Sequence, residues 1–505
     1  MEPDFYTRHD KRAHLAVQSN TLFSTSRLAP PREAANRSSA GNLSRTRGDS
    51  QVIERRASGR RAIEVAHEIV SETFGPPDAR NFAVRYWNGV DDQATDGRSG
   101  RYTLVLQHPG ALRNMLLPPN ETRLAEAFLH NDFDVEGDIE AATELAWLLA
   151  ERLGSLRRFV KVCSLLMQLP RGASSTIASS RSSTHGHWQR WRELANGRRH
   201  ARARDAMAIK HHYDVGNEFY SLWLDEHLAY SCAYFPTGKE DLTLAQEAKF
   251  ELICRKLRLK PGESLLDIGC GWGGLIRYAV RHYGVTALGI TISEAQASLA
   301  HDRIALEGLE DRCAVETRDY RDLPSNVSFD KVVSVGMFEH VGRSKLKDYF
   351  AIAANLVRPG GLFLNHGIIS LDDARKPHGN AAPPRRIRGK GRFIKRYVFP
   401  DGELVPLATA ISAGECAGLE TRDVESLREH YTETLRHWVR RLEQHSNDAR
   451  DLVGETRYRV WRLYMAASAY AFDTARIGVV QILFARPAAD GQCDHPRTRD
   501  GIYTC

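Results

Sequence analysis

The sequence predicts an α/β protein: a doubly wound, mostly parallel sheet with a smaller α+β domain ahead of it. Three observations predict this. Between residues 264 and 365, short apolar runs alternate with amphipathic helical stretches, the pattern of a parallel sheet covered on both faces. The first run, Leu265-Leu266-Asp267-Ile268, breaks into a glycine-rich turn that opens a helix at Leu275. Upstream, residues 59–169 mix short alternating strands with helices, and a Ser/Arg-rich stretch, 170–206, separates the two patterns.

The chain has 505 residues, room for two or three domains with a sizeable core. Its net charge of +7, carried mostly by arginine, fits attraction to phosphate-bearing surfaces, nucleic acid or anionic membrane, without choosing between them. No apolar run reaches the roughly 18 residues of a spanning helix. The strongest candidate, Val460 to Ala485, is interrupted by Arg462, Asp473, Arg476 and Gln481. The N-terminus has no basic head followed by an apolar core, which argues against secretion. Eight cysteines lie scattered without C-x-x-C spacing, which argues against a zinc site and a disulfide framework and fits a reducing cytoplasm.

Taken in order, residues 1–58 read as a disordered basic tail. In the 59–169 domain, Ala62 to Val70 reads as a helix, Phe82–Tyr86 and Tyr102–Leu106 as strands, and Thr122–Leu129 and Ile139–Leu153 as helices. His130 and Asp132 read as surface or capping residues. The 170–206 linker is either a solvated tether or a patch that adsorbs to anionic lipid. The second domain, 207–487, opens on dense aromatics, His211-His212-Tyr213-Asp214 and Tyr230-Ser231-Cys232-Ala233-Tyr234. Thr243 and Gln246 read as a capping box for a helix running to about Leu259. Strands follow at Ser264–Ile268, Val285–Ile290, Ala314–Glu316, Lys331–Val335 and Leu362–Asn365, with helices at Glu294–Glu307 and Lys345–Leu356. A late strand, Val479–Phe484, completes the sheet, and residues 488–505 read as a frayed tail.

The turn Gly269-Cys270-Gly271-Trp272-Gly273-Gly274 is neither a P-loop, for no Lys-Ser or Lys-Thr follows, nor a G-x-G-x-x-G fingerprint. Glycines there let the backbone approach a ligand, and the helix start offers free N–H groups. Asp267 just ahead suits a positively charged ligand such as the sulfonium of S-adenosylmethionine. A methyltransferase is therefore favoured over a dehydrogenase.

Six blocks then stand in a recognisable order. They are His211–Asp214, Tyr230–Tyr234, Leu266–Gly273, Gly289–Ser293, Ser334-Val335-Gly336-Met337-Phe338-Glu339-His340-Val341-Gly342, and Lys395–Gly402. Together they resemble the cyclopropane-fatty-acyl-phospholipid synthase family, which includes the mycolic acid cyclopropane synthases. The resemblance implies a sheet of the S-adenosylmethionine-dependent methyltransferase type. It implies S-adenosylmethionine as cofactor and the cis double bond of an unsaturated phospholipid acyl chain as acceptor. It also implies a bound bicarbonate that removes a proton from the transferred methyl so that the ring closes. Carried over by motif, the bicarbonate site comprises Cys232, Glu339, His366, the main chain of Ile368, and Tyr431. The cofactor site comprises Tyr230, Ser231, Asp267, Gly269, Gly271, Thr291, Gln296, Tyr320 and Arg321.

Here the family has Leu-His-Thr-Ile where this chain has Asn365-His366-Gly367-Ile368, so Asn365 and Gly367 depart from it. Other readings of single residues stay open. Ser293 and Gln296 also fit a capping box, Cys232 alone would be a buried small hydrophobe, and His340 fits a helix cap or a partner of the neighbouring carboxylate. The aromatics Tyr213, Phe219, Tyr220, Trp223, Tyr458, Trp461, Tyr464 and Tyr470 read as acyl-pocket wall and core. The basic segment Arg375–Arg396 reads as a solvated loop or a headgroup contact. The expected partner is phospholipid at the inner membrane surface, with cytoplasmic, peripheral localisation; a homodimer is compatible with the sequence. No nucleic-acid partner is expected, because the Asn/Asp-Pro-Pro-Tyr type motif and RNA-binding signatures are absent.

Overall fold

The computed structural model describes residues 45–94, 100–153, 155–171, 215–371, 391–399 and 401–503. The first 44 residues, linker residues 172–206, the block His211–Asp214 and loop residues 372–390 lie outside the described residues. By contacts the chain divides into Met1–Ala57 and Ser58–Cys505. Of the first unit, the described part is helical: a helix spans Arg45–Phe74, so residues 45–58 of the expected tail are not irregular.

The second unit is built on a seven-stranded sheet. Its strands are β5 (Ser264–Ile268), β6 (Thr286–Thr291), β7 (Cys313–Thr317), β8 (Phe329–Val335), β9 (Val357–Ser370), β10 (Glu420–Ser426) and β11 (Ile477–Ala485). They lie in the order β10-β11-β9-β8-β5-β6-β7. All neighbours from β9 to β7 are parallel, while β11 runs antiparallel between β9 and β10. The expected doubly wound sheet is present. The chain steps outward from β5 to β6 and β7, then returns to β8 on the other side of β5. Loops leaving β5 and β8 thus diverge at their carboxyl ends and leave a crevice there.

Four further strands form a small sheet: β1 (Ala83–Arg85), β2 (Asp91–Asp92), β3 (Tyr102–Leu106) and β4 (Phe133–Gly137), ordered β2-β1-β3-β4. It does not stand apart as a separate domain. One continuous core runs from Ala66, through Phe128 and Val135, to Trp223, Trp461 and Val479. Arg459 and Arg462, in the helical segment Ser446–Asp473 beyond its kink at Gly454, reach into the small sheet's edge. Arg459 donates to Phe128 O and pairs with Asp134 at 2.7 Å; Arg462 donates to Val135 O.

Several local expectations change. Ile139–Leu153 is two helices, Ile139–Ala142 and Leu145–Arg152. His130 does cap the helix Glu121–Leu129, but Asp132 is buried, accepting from Asn114 at 2.9 Å and lying 2.8 Å from His108 Nε2. The helix Leu242–Leu257 is capped by Asp241, whose side chain accepts from Leu244 N, rather than by Thr243 with Gln246. Asp241 has the extended backbone that a cap requires, and Gln246 points into the core instead. The segment after β11 does not fray. Asp494 binds Lys331 at 2.5 Å, Arg499 pairs with Asp423, and Ile502 is buried. No described helix is long and apolar enough to cross a membrane.

Candidate active site

At the carboxyl ends of β5, β6 and β8 the crevice widens into a cavity of about 720 Å³. All nine residues expected to hold the cofactor line it: Tyr230, Ser231, Asp267, Gly269, Gly271, Thr291, Gln296, Tyr320 and Arg321. Gly269 and Gly271 sit at φ +85° and +56°, where L side chains are strained, and they carry the backbone around the cavity floor. The following helix, Gly274–Tyr283, aims its free N–H groups at the same space.

Thr291 ends β6 and donates its hydroxyl to Gln296 Oε1 at 2.8 Å. Ser293 caps the next helix by accepting from Gln296 N. Half of the capping box is therefore real, and the Gln296 side chain is held on the cavity wall by Thr291. Arg321 is clamped by both carboxylate oxygens of Asp319, at 2.8 and 2.6 Å, beside the Tyr320 ring.

Asp267 is buried, and its Oδ1 has no hydrogen-bond partner among the described residues. Burial pushes its carboxyl up to about 7, with the Lys249 ammonium pulling against it. A cationic ligand would restore the ionised form. An orphaned carboxylate, a positive-φ glycine floor and a polar Thr–Gln pair fit S-adenosylmethionine.

Two residues that sequence reasoning did not assign to the site shape this wall. Gln246 donates to Ala229 O at 3.1 Å and Ser231 O at 2.9 Å, which pins the turn carrying Tyr230. Lys249, one turn further on, lines the cavity and donates to Ser231 Oγ at 2.9 Å. Burial pulls its ammonium down to about 8, against Asp225, the Cys232 sulfur and Asp267. The available signal was polar residues three apart on a face otherwise made of Leu242, Ala245, Phe250 and Ile253.

None of the second expected cluster lines the cavity, though two of its members adjoin residues that do. Ser231 and His340 line the cavity, while their neighbours Cys232 and Glu339 turn into the core. Glu339 sits in the 3-10 turn Phe338–His340 after β8, and its Oε1 accepts from Ile368 N at 2.7 Å. The Ile368 N–H, expected to face an ion, is therefore engaged by the glutamate. Glu339 Oε2 has no partner among the described residues, and burial pushes this carboxyl up to about 7.

His366, two residues before Ile368 on β9, is buried, and its Nε2 has no partner among the described residues. Its Nδ1 lies 3.2 Å from Gln481 Nε2, on the residue opposite it on β11. Burial pulls the imidazole down to about 3, helped by Lys249 and Lys256, so the ring is neutral. Gln481 is another residue the sequence reading passed over. A glutamine within the apolar run Val479–Phe484 was the visible signal.

Cys232 and Tyr431 are brought together differently. Cys232 Sγ lies 3.6 Å from Leu427 O, and Tyr431 sits one helical turn later, its N–H donating to the same carbonyl. Leu427 N donates to Val479 O, and Val479 pairs with Ile368. Burial raises the Cys232 thiol, which keeps it protonated. The aromatics Phe219, Tyr220, Trp223 and Trp461 pack on one another in the core; the cavity's aromatic lining is Tyr230, Phe250, Trp272 and Tyr320. Among the described residues no group of acidic, histidine and cysteine side chains could hold a metal.

Residues 200–482 match the family model for mycolic acid cyclopropane synthetase. The chain belongs to that family. Its relatives include a probable fatty acid methyltransferase of Pseudomonas putida, 42% identical over 83% of this chain and 95% of that protein. The cyclopropane-fatty-acyl-phospholipid synthase of Escherichia coli K12 is 38% identical over 56% of this chain and 68% of that protein. Among solved structures, mycolic acid cyclopropane synthase CmaA1, complexed with SAH and CTAB, superposes with a TM-score of 0.53. It is 31% identical and covers 55% of this chain and 97% of its own. The present chain is an S-adenosylmethionine-dependent methyltransferase.

Proposed function

We propose that the enzyme transfers the methyl carbon of S-adenosylmethionine to the cis double bond of an unsaturated phospholipid acyl chain and closes a cyclopropane ring. The observation that carries this reading is that Glu339 and His366 are both buried, each with a polar atom unpartnered among the described residues, and that Glu339 adjoins the cavity-lining His340. Ring closure needs a base shielded from water, and a buried carboxyl and a neutral imidazole suit holding one.

S-Adenosylmethionine supplies an electrophilic methyl. An alkene is a weak nucleophile, so the protein must hold the reacting atoms close and in line in a dry pocket. Gln246 and Lys249 fix the Tyr230–Ser231 wall for this, and Asp267 offers negative charge to the cationic end of the cofactor. Closing the ring requires a base, yet a strong nucleophile in contact would trap the cation. Glu339, His366, Cys232, Tyr431 and the Ile368 main chain would hold a bicarbonate as that base. Gln481, on Nδ1, leaves the His366 Nε2–H as the donor toward it. The enzyme would work at the inner membrane surface, where its substrate resides.

A second reading is C-methylation of an acyl chain without ring closure. The 42% identity to a protein named as a probable fatty acid methyltransferase favours keeping it. Incubation with methyl-labelled S-adenosylmethionine and unsaturated phospholipid vesicles, followed by mass analysis of the acyl chains, separates the two. A gain of one CH2 that resists hydrogenation supports the ring. A methyl-branched or methylidene product supports the second reading, and absence of label in lipid refutes both.

A further inference from the structure

We propose that the outward face of the helix Leu156–Gln168 is the surface on which this enzyme docks to an anionic lipid bilayer. This rests on the reading that its substrate is a membrane phospholipid. The helix has two apolar faces. Val162, Leu165 and Leu166 are buried in the core of the second unit. On the outer side Leu156, Val160 and Met167 are 75%, 57% and 58% exposed.

At about 100° per residue these three side chains fall within an arc of about 40°, spread over about 17 Å of helix. Isolated exposed apolar residues are ordinary, but an aligned strip marks a contact surface. Arg157 and Lys161 border the strip on one side, and Arg171 follows the helix end. Lys161 binds Glu68 and Glu72, and Arg158 binds Glu72, so those two acids are already matched. Arg157 and Arg171 carry no ion pair among the described residues and remain available to lipid phosphate.

Apolar side chains flanked by cations are the arrangement that binds an anionic interface, the apolar strip entering the acyl boundary and the arginines meeting headgroups. The net charge of +7 draws the whole molecule toward the same surface. A second copy of the chain fits less well. Three side chains expose far less than the roughly 800 Å² per partner that a stable dimer buries.

The test uses the full-length protein. Its sedimentation with phosphatidylglycerol–phosphatidylcholine vesicles is compared with that of the triple variant Leu156→Gln, Val160→Gln, Met167→Gln, and of the pair Arg157→Gln, Arg171→Gln. The triple variant is expected to bind at least tenfold more weakly. The arginine pair is expected to weaken binding at low salt and flatten its salt dependence. Both should transfer label to the same lipid dispersed in detergent as the wild type does. Loss of transfer in detergent by the wild type itself would refute the substrate reading, while vesicle binding is still measured. Vesicle binding unchanged in the triple variant overturns the docking surface. If oligomeric mass changes instead, the strip meets a second copy; if neither changes, the chain's own residues cover it. Wild-type protein that ignores anionic vesicles overturns it as well.

Discussion

Glu339 meets two demands that pull in opposite directions. To orient a base it must be buried beside β9, and burial raises its carboxyl from an ordinary value near 4.5 to about 7. A carboxyl raised in the folded state stabilises the protein below its unfolded pKa and loses that contribution as pH rises through the folded one. Glu339→Gln is therefore expected to be more stable than wild type at pH 8, by on the order of 2 kcal/mol. The difference should vanish near pH 4.5; thermal melts across this range check it, and a less stable variant at pH 8 would contradict it. His366 is held by a partner rather than by charge. Gln481→Leu leaves its buried Nδ1 without a donor, at a cost of about 1–3 kcal/mol. The expected result is a fall in kcat of roughly tenfold or more, with the KM for S-adenosylmethionine little changed. Steady-state kinetics decide this. Of the expected cofactor residues, Asp267, Gly269 and Gly271 were legible because the glycine turn and its acid form one contiguous signal; the other six came only through the family resemblance. Gln246, Lys249 and Gln481 were not, because their roles depend on what faces them from segments far along the chain.

Between β8 and β9 the site depends on close packing. A Cβ added at Gly367 would lie 2.8 Å from the Phe338 ring, next to Glu339. The glycine that departs from the family pattern thus accommodates this phenylalanine, while Asn365 accepts a hydrogen bond from Tyr349 at 2.8 Å. Gly367→Ala is expected to destabilise by about 1–3 kcal/mol and to lower transfer, and Phe338→Leu in the same chain should restore part of both. Melting temperature and transfer rate measured for the single and double variants test this. At this scale β5, β6, β7 and β8 were legible as apolar runs bounded by turns. β10 was not, because Glu420-Thr421-Arg422-Asp423-Val424-Glu425-Ser426 reads as polar. It is a charged edge strand, recognisable only from its pairing with β11.

On the scale of the whole molecule, the small sheet is legible as elements but not as a partner of the large one. The helical segment Ser446–Asp473, kinked at Gly454, joins them through buried Arg459, whose guanidinium reaches Phe128 O, Asn131 and Asp134. Removing it leaves buried acceptors unmatched, so Arg459→Met is expected to cost about 3 kcal/mol. Calorimetry should still record one transition for the two sheets; two separated transitions would contradict the shared core. The sequence placed a boundary there because linkers are visible in composition, whereas contacts between distant helices are not. The proposed chemistry needs a cofactor cavity and a separate, buried base site. Its most direct test measures S-adenosylmethionine binding and acyl-chain products for Glu339→Gln. Cofactor binding within about twofold of wild type, with cyclopropane formation lowered at least a hundredfold, is the predicted result. A Glu339→Gln enzyme that makes cyclopropane at the wild-type rate would contradict it.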